Sequence, residues 1–242
     1  MPSLDQLIST SRRAVEERRE ARPLEQLARE VEGMAPIRPF TEWIGGDEIS
    51  FVLSLPGDDQ HLLDLAEQGE VAGLAVAFDQ LAATAARTML PLMQTDIVVD
   101  RYQLYESRAG GADGVVLVAA AFEDADGALA DLHDLAVDLG LDVIVQVAEE
   151  EEIEHTLELL DPDSFLVRNR SDHGAGEADF ERTFSLLEEV PAGKIVISQG
   201  GIRARDEVVA LQSAGVDAAI LGPWVVEAGL LSVLEVLRGD AR

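Results

Sequence analysis

Eight short apolar runs, each followed by an amphipathic segment, constrain this chain more than any other feature of its sequence. The runs are residues 49–55, 71–78, 90–93, 114–119, 143–147, 164–167, 194–198 and 218–221. Helix-like segments follow them at residues 58–68, 80–87, 100–109, 125–139, 149–160, 177–189, 203–214 and 225–237. Apolar runs without polar alternation predict strands buried on both faces, which is the pattern of a parallel sheet. Strand-helix alternation places the helices over that sheet. Eight such units predict closure into a (β/α)8 TIM barrel, an α/β fold. The interval between the second and third runs is tight, so that helix is expected to be short. The similar pentapeptides GADGV (Gly111–Val115) and GVDAA (Gly215–Ala219) each read as a helix ending on glycine followed by the start of a strand.

The first stretch, residues 3–32, reads as an N-terminal helical extension. Leu4, Leu7, Ile8, Val15, Leu24, Leu27 and Val31 recur at helical spacing. Pro23 is expected to split it in two. Residues 33–46 hold prolines and glycines and read as a connector, with Phe40 and Trp43 available to anchor it. The organisation expected is an extension and connector over 1–46 and a barrel over 47–242, forming one domain overall.

Charge and residue usage exclude several function classes. Lys+Arg is 18 and Asp+Glu is 47, a formal net charge of −29. Such a surface repels phosphate backbones and anionic lipid, so neither nucleic acid nor membrane is an expected partner. A small anionic metabolite remains compatible, because a local cluster of donors overrides a distant field. Cysteine is absent, which removes disulfides, thiol catalysis and zinc-thiolate sites. No run approaches the roughly 18 apolar residues of a membrane span. The first residues show no basic-then-apolar signal pattern, and a cytoplasmic protein is expected. One basic residue, Lys194, is lysine, and the rest are arginine. Guanidinium groups stay protonated and do not replace ammonium in tunable acid-base work, so chemistry that needs two lysines is closed to this chain.

Function in such barrels lies at the C-terminal ends of the strands. These ends offer Ser54, then Phe78 and Asp79, then Gln94, Thr95 and Asp96, then residues 119–122. Gln146 and Ala148, then Arg168, Asn169 and Arg170, then Gln199, Gly200 and Gly201, and last Gly222 and Pro223 complete the set. The glycines after strands 7 and 8 read either as an anion cup of backbone N–H groups or as tight turns. Pro223 has no N–H to contribute. Arg168 and Arg170, on one side of their strand, offer planar forks for carboxylate or phosphate, or ion pairs along the loop rim. Asp96 reads as an acid-base group or as a carboxylate that holds its loop by hydrogen bonds. The acid runs at residues 124–126 and 149–152 read as helix starts rather than metal ligands. His61, His133 and His155 fall on outer helix faces and His173 in a polar loop. No dinucleotide or nucleotide-phosphate motif is present, so no cofactor and no metal are expected.

The order of segments resembles the indole-3-glycerol phosphate synthase family, the barrel enzymes of tryptophan biosynthesis. The resemblance rests on RRAVEERREARPLEQL near the N-terminus and on the block PLMQTDIVVDRYQLYESRAGGADGVVLVA (Pro91–Ala119). It continues through IVQVAEEEEI, FLVRNRSD, VISQGGIRARDEV and AILGPWVV, and it is weakest over residues 49–90. The resemblance implies a lyase that closes a ring on a phosphorylated anthranilate derivative, losing carbon dioxide and water through lysine and glutamate groups. At the matching positions this chain has Ser54 in the altered first-strand motif, Thr95 for a lysine, Gln146 for a glutamate, Arg168 for an asparagine, Gln199 for a glutamate and Pro223 for a serine. Asp96, Asn169, Arg170, Gly201 and Gly222 keep the family pattern. Neutral side chains cannot transfer protons near neutral pH, so the ring-closing decarboxylation is expected to be lost or nearly lost. The implied role is binding of a small phosphorylated or carboxylated ligand through Arg168, Asn169, Arg170, Gly200, Gly201 and Gly222, alone or with a partner protein of aromatic amino-acid metabolism. Two alternatives stand beside it: a diverged lyase with new chemistry at Asp96, and a working synthase with relocated catalytic groups.

Overall fold

The computed structural model describes residues 3–44, 46, 48–57, 59–122, 126–169 and 179–240. Eight strands run in chain order around a closed barrel: β1 (Ser50–Ser54), β2 (Gly73–Val76), β3 (Leu92–Gln94), β4 (Gly114–Val118), β5 (Asp142–Val147), β6 (Ser164–Arg168), β7 (Ile195–Gln199) and β8 (Ala218–Leu221). Each is parallel to the next, and β8 closes on β1 with Val52 opposite Ile220. The apolar runs are therefore continuous because one strand face packs inside the barrel and the other under helices.

The helices are α1 (Leu4–Ala21), α2 (Leu24–Glu32), α3 (Phe40–Trp43), α4 (Gln60–Gln68), α5 (Phe78–Ala85), α6 (Arg101–Ala109), α7 (Asp126–Asp138), α8 (Glu150–Leu159), α9 (Phe180–Glu189), α10 (Arg205–Ser213), α11 (Trp224–Ala228) and α12 (Leu230–Arg238). Pro23 separates α1 from α2 as expected. Three details depart from the sequence pattern. Phe78 opens α5 instead of ending β2. A 3-10 turn occupies Ala119–Phe122. The segment expected as one last helix is broken at Gly229, whose φ of 88° and ψ of 95° cannot continue a helix. The acid run at 149–152 does start a helix, with Glu149 as the N-cap of α8. Its counterpart at 124–126 lies outside the described residues up to Asp126, where α7 begins.

The barrel interior holds Val52, Ala75, Met93, Val116, Ile144, Leu166, Ile197 and Ala218. Phe40 and Ile44, fully buried, join this cluster from the connector. Phe40 lies so close to Gly73 that a Cβ there would approach its ring to 2.7 Å. The connector thus plugs the end of the barrel at which the strands begin. Trp43 is 47% exposed and does not share the anchoring role expected of it.

The two pentapeptides have a common job at this end. Asp113 accepts from Leu92 N–H at 2.8 Å while its own N–H donates to Leu92 O at 2.9 Å. Asp217 repeats the pair with Val196, at 2.7 and 2.9 Å. Each aspartate satisfies the first N–H of the preceding strand, a donor that would otherwise be orphaned in the bottom layer. Asp113 also accepts from Arg38 N–H at 2.8 Å and ion-pairs with the Arg38 guanidinium, and Asp142 accepts from Thr41 N–H at 2.9 Å.

The extension docks on α6. Tyr102 is buried with Val15 and Leu27, and its hydroxyl donates to Arg18 O and Arg22 O at 3.1 and 2.7 Å, which caps the last carbonyls of α1. Arg18 forms a two-pronged pair with Glu106 at 2.7 and 2.9 Å, and Arg19 reaches Asp100 at 2.6 Å. Ser3 and Gln6 close a capping box at the other end of α1. Among the described residues, no helix is long and apolar enough to cross a membrane.

Candidate functional site

The C-terminal ends of the strands open into two adjoining cavities. The larger, about 460 Å³, is walled by α1 through Leu4, Leu7 and Ala14, and floored by Phe78, Gln94, Thr95, Asp96, Val118 and Gln146. The smaller, about 200 Å³, lies between Ser54, the loop Gln199–Arg203, Gly222, Pro223 and Trp224. Arg168, the last residue of β6, lines both. The strand-end positions singled out from the sequence therefore divide into two groups. Thr95, Asp96 and Gln146 face the larger cavity, while Ser54, Gln199, Gly200, Gly201 and Gly222 face the smaller. Arg170 and His173 lie outside the described residues.

Asn169 is fully buried and donates from Nδ2 to Gly200 O at 3.0 Å. It stands behind the β7 loop and fixes that loop's course. Gly200 and Gly201 have φ of 126° and 77°, a backbone that side-chain-bearing residues rarely adopt. The sharp path between β7 and α10 therefore depends on this glycine pair.

Asp96 accepts the Phe78 N–H at 2.5 Å. Phe78 opens α5, whose N-cap Ala77 has no side-chain acceptor, so Asp96 caps that helix from the neighbouring strand. Although the residue keeps an exposed edge, crowding by the mouth strips water from its carboxyl and raises its pKa above the usual range. Asp79 pushes in the same direction, while the Phe78 N–H and Arg18 oppose it. Arg18 lies over the Phe78 ring, 4.9 Å from its centroid, with its charge matched by Glu106. That hydrogen-bonded carboxylate holds the guanidinium in its charged form.

Several polar oxygens at this end have no partner. Gln94 is 1% exposed and lines the larger cavity, and its Oε1 accepts no hydrogen bond. Gln199 Oε1, Ser198 Oγ and Asn169 Oδ1 are in the same condition. Lys194 precedes β7, at the opposite end of the barrel, where Nζ bonds Asp161 at 2.5 Å. His61, His133 and His155 lie on α4, α7 and α8 and line neither mouth cavity. Among the described residues, no cluster of three or more His, Cys, Asp or Glu could hold a metal.

Sequence reasoning missed four residues of the mouth: Arg18, Gln103, Arg203 and Trp224. Arg18 and Gln103 come from helices and meet only through the docking of the extension. The adjacency of Trp224 to Gly222 and of Arg203 to Gly201 was the available signal for the other two.

A closed eight-stranded barrel with paired cavities at its C-terminal mouth defines the class: a (β/α)8 protein built to hold a small molecule where its strands end. Residues 70–229 match the family model for indole-3-glycerol phosphate synthase. The chain is 32% identical to the indole-3-glycerol phosphate synthase of Aromatoleum aromaticum over 90% of its own length and 92% of the relative's. It therefore belongs to the indole-3-glycerol phosphate synthase family. With the enzyme of Variovorax paradoxus it shares 38% identity over 60% of this chain and 53% of the relative. The corresponding match in Acidithiobacillus ferrooxidans covers 52% of that relative, so the aligned stretch spans about half the length of both. The tryptophan synthase α-subunit of Pyrococcus furiosus superposes with a TM-score of 0.56 at 14% identity, over 80% of this chain and 98% of that one. A solved structure described as QR15, an aldolase, gives 0.59 at 13%, over 80% and 94%. At such identities these two likenesses concern the fold alone.

Proposed function

We propose that this chain binds a small phosphorylated or carboxylated metabolite at the barrel mouth and has lost, or nearly lost, the ring-closing decarboxylation of its family. The observation behind this reading is the charge inventory of the two cavities. Their charged lining residues are Arg18, Asp96, Arg168 and Arg203, with neither a lysine nor a glutamate among them. A general acid and base contribute typically 10²–10⁴-fold each, and oriented charge stabilises the transition state further. Ser54, Thr95, Gln146 and Gln199 supply neither. Asp96 is engaged in capping α5, Arg18 is matched to Glu106, and Lys194 is at the far end.

The purified protein mixed with the family's phosphorylated anthranilate substrate tests this reading through the rise of indole fluorescence. The expected trace is flat within background. A rate within tenfold of an ordinary synthase overturns the loss of activity. Thermal unfolding with phosphate and anthranilate tests binding, because a ligand at about 100 times its Kd adds about 2.7 kcal/mol. No shift with either overturns the binding reading.

A second reading, a diverged lyase, is favoured by the raised pKa of Asp96, since such a carboxyl is closer to the pKa of a useful proton donor. It requires that any activity found be abolished in Asp96→Asn.

A further inference from the structure

We propose that Arg203, laid against Trp224, is the anion-selecting arm of the smaller cavity and closes on the phosphate of a phosphate monoester. The inference rests on the binding reading above and adds to it a residue and a preference.

The cavity is an island of positive charge in a chain of net charge −29. Its charged lining residues are Arg168 and Arg203, and no carboxylate shares the wall. The base of the arm is fixed, because Glu207 Oε2 accepts the backbone N–H groups of Arg203 and Ala204 at 2.6 and 2.9 Å. Its tip is not tied in the same way. Among the described residues, no carboxylate lies within ion-pair distance of the Arg203 guanidinium, although acids outnumber bases 47 to 18. The guanidinium sits instead over the Trp224 ring, 4.3 Å from its centroid. An exposed cation-ring contact is weak, whereas a guanidinium forms paired, charge-assisted bonds with phosphate. An anion in the cavity therefore competes successfully for the arm.

Pro223 gives this arm its purpose. At the head of α11 proline presents no N–H, so the wall at Gly222 lacks one donor. Arg203, across the same small cavity, supplies donors and a full charge in its place. Two arginines facing one another favour a dianion over a monocarboxylate.

The chain holds two tryptophans, and Trp43 is remote and half exposed, so Trp43→Phe isolates the emission of Trp224. Calorimetry on the wild type with glycerol phosphate, inorganic phosphate and benzoate is paired with Trp224 emission in the Trp43→Phe background. The expected result is tighter binding of the phosphates than of benzoate, with a saturable change in Trp224 emission. Arg203→Met keeps a side chain over the ring without its charge. It is expected to weaken the phosphate monoester about tenfold or more, equivalent to about 1.4 kcal/mol, and to abolish the emission change. Arg203→Lys is expected to fall between. Arg203 is exposed, so both variants should fold, and an unchanged melting temperature checks this. If the wild type binds phosphate and Arg203→Met binds it equally well, or if benzoate binds as tightly as the phosphates, the inference is overturned while the binding reading stands. If the wild type binds none of the three, the binding reading itself falls, and the inference with it.

Discussion

The two ends of the barrel treat their polar groups in opposite ways. Where the strands begin, Asp113, Asp142 and Asp217 each accept backbone N–H groups from a neighbouring segment, and Phe40 seals the interior. Where the strands end, Gln94, Ser198, Gln199 and Asn169 carry buried oxygens without partners, and Gly200 and Gly201 hold strained backbone. Buried polar groups in folded proteins are nearly always paired. An end that leaves several unpaired is less stable than it could be, and that is the condition of a surface kept for a ligand. Replacement of titratable groups by neutral ones has not turned the mouth into ordinary core.

The sharpest way to break this comparison is at the sealed end. Phe40→Ala empties a fully enclosed site and is expected to cost about 3–5 kcal/mol, read as a large fall in melting temperature. A loss below about 1 kcal/mol would show that the plug is not what holds this end. At the mouth the sign should reverse. Gln94→Met removes an unpaired buried acceptor while keeping side-chain length, and an unsatisfied group of this kind costs about 1–3 kcal/mol. The variant is expected to gain about 1 kcal/mol in denaturant unfolding, and a clear loss would mean that the amide is satisfied in solution.

The smallest effect concerns Asp96. Its pKa in the folded chain is raised, chiefly by desolvation, so the native state binds its proton more tightly than the unfolded chain does. Stability attributable to this group is therefore greatest at acid pH. It declines as pH rises from the unfolded carboxyl value through the raised native one. Asp96→Asn keeps an oxygen for the Phe78 N–H and removes the titration. Wild-type stability relative to the variant should fall across that window and stay level above it. The opposite slope, in paired melts between pH 3 and 8, would place the carboxyl in a stabilising, solvated setting.

Much of the scaffold was legible because its causes are local. The β4 and β5 runs are apolar throughout, and Pro23 breaks the extension where proline must. The strand-end positions followed from the barrel, so Thr95, Gln146 and Gln199 could be placed at the mouth before any coordinates. What stayed hidden depends on contacts between distant segments. GADGV and GVDAA read as helix ends, yet their aspartates serve the preceding strand, which periodicity does not report. Asp96 as the cap of α5 required knowing that β2 and β3 are neighbours with this register. The break at Gly229 was locally signalled by the glycine but masked by the apolar spacing of Val225, Val226, Leu230 and Leu234. Arg203 was passed over because a charged residue at the start of a helix has an ordinary solvated reading, and only the facing Trp224 gives it another.

The tie between Arg18 and Glu106 spans 88 residues of sequence. Alone, α1 has one buried side chain, Val15, and an isolated helix of this length is marginal in water. During synthesis the first segment to leave the ribosome must therefore wait for α6, and the wall translated earliest becomes one of the later parts of the mouth to settle.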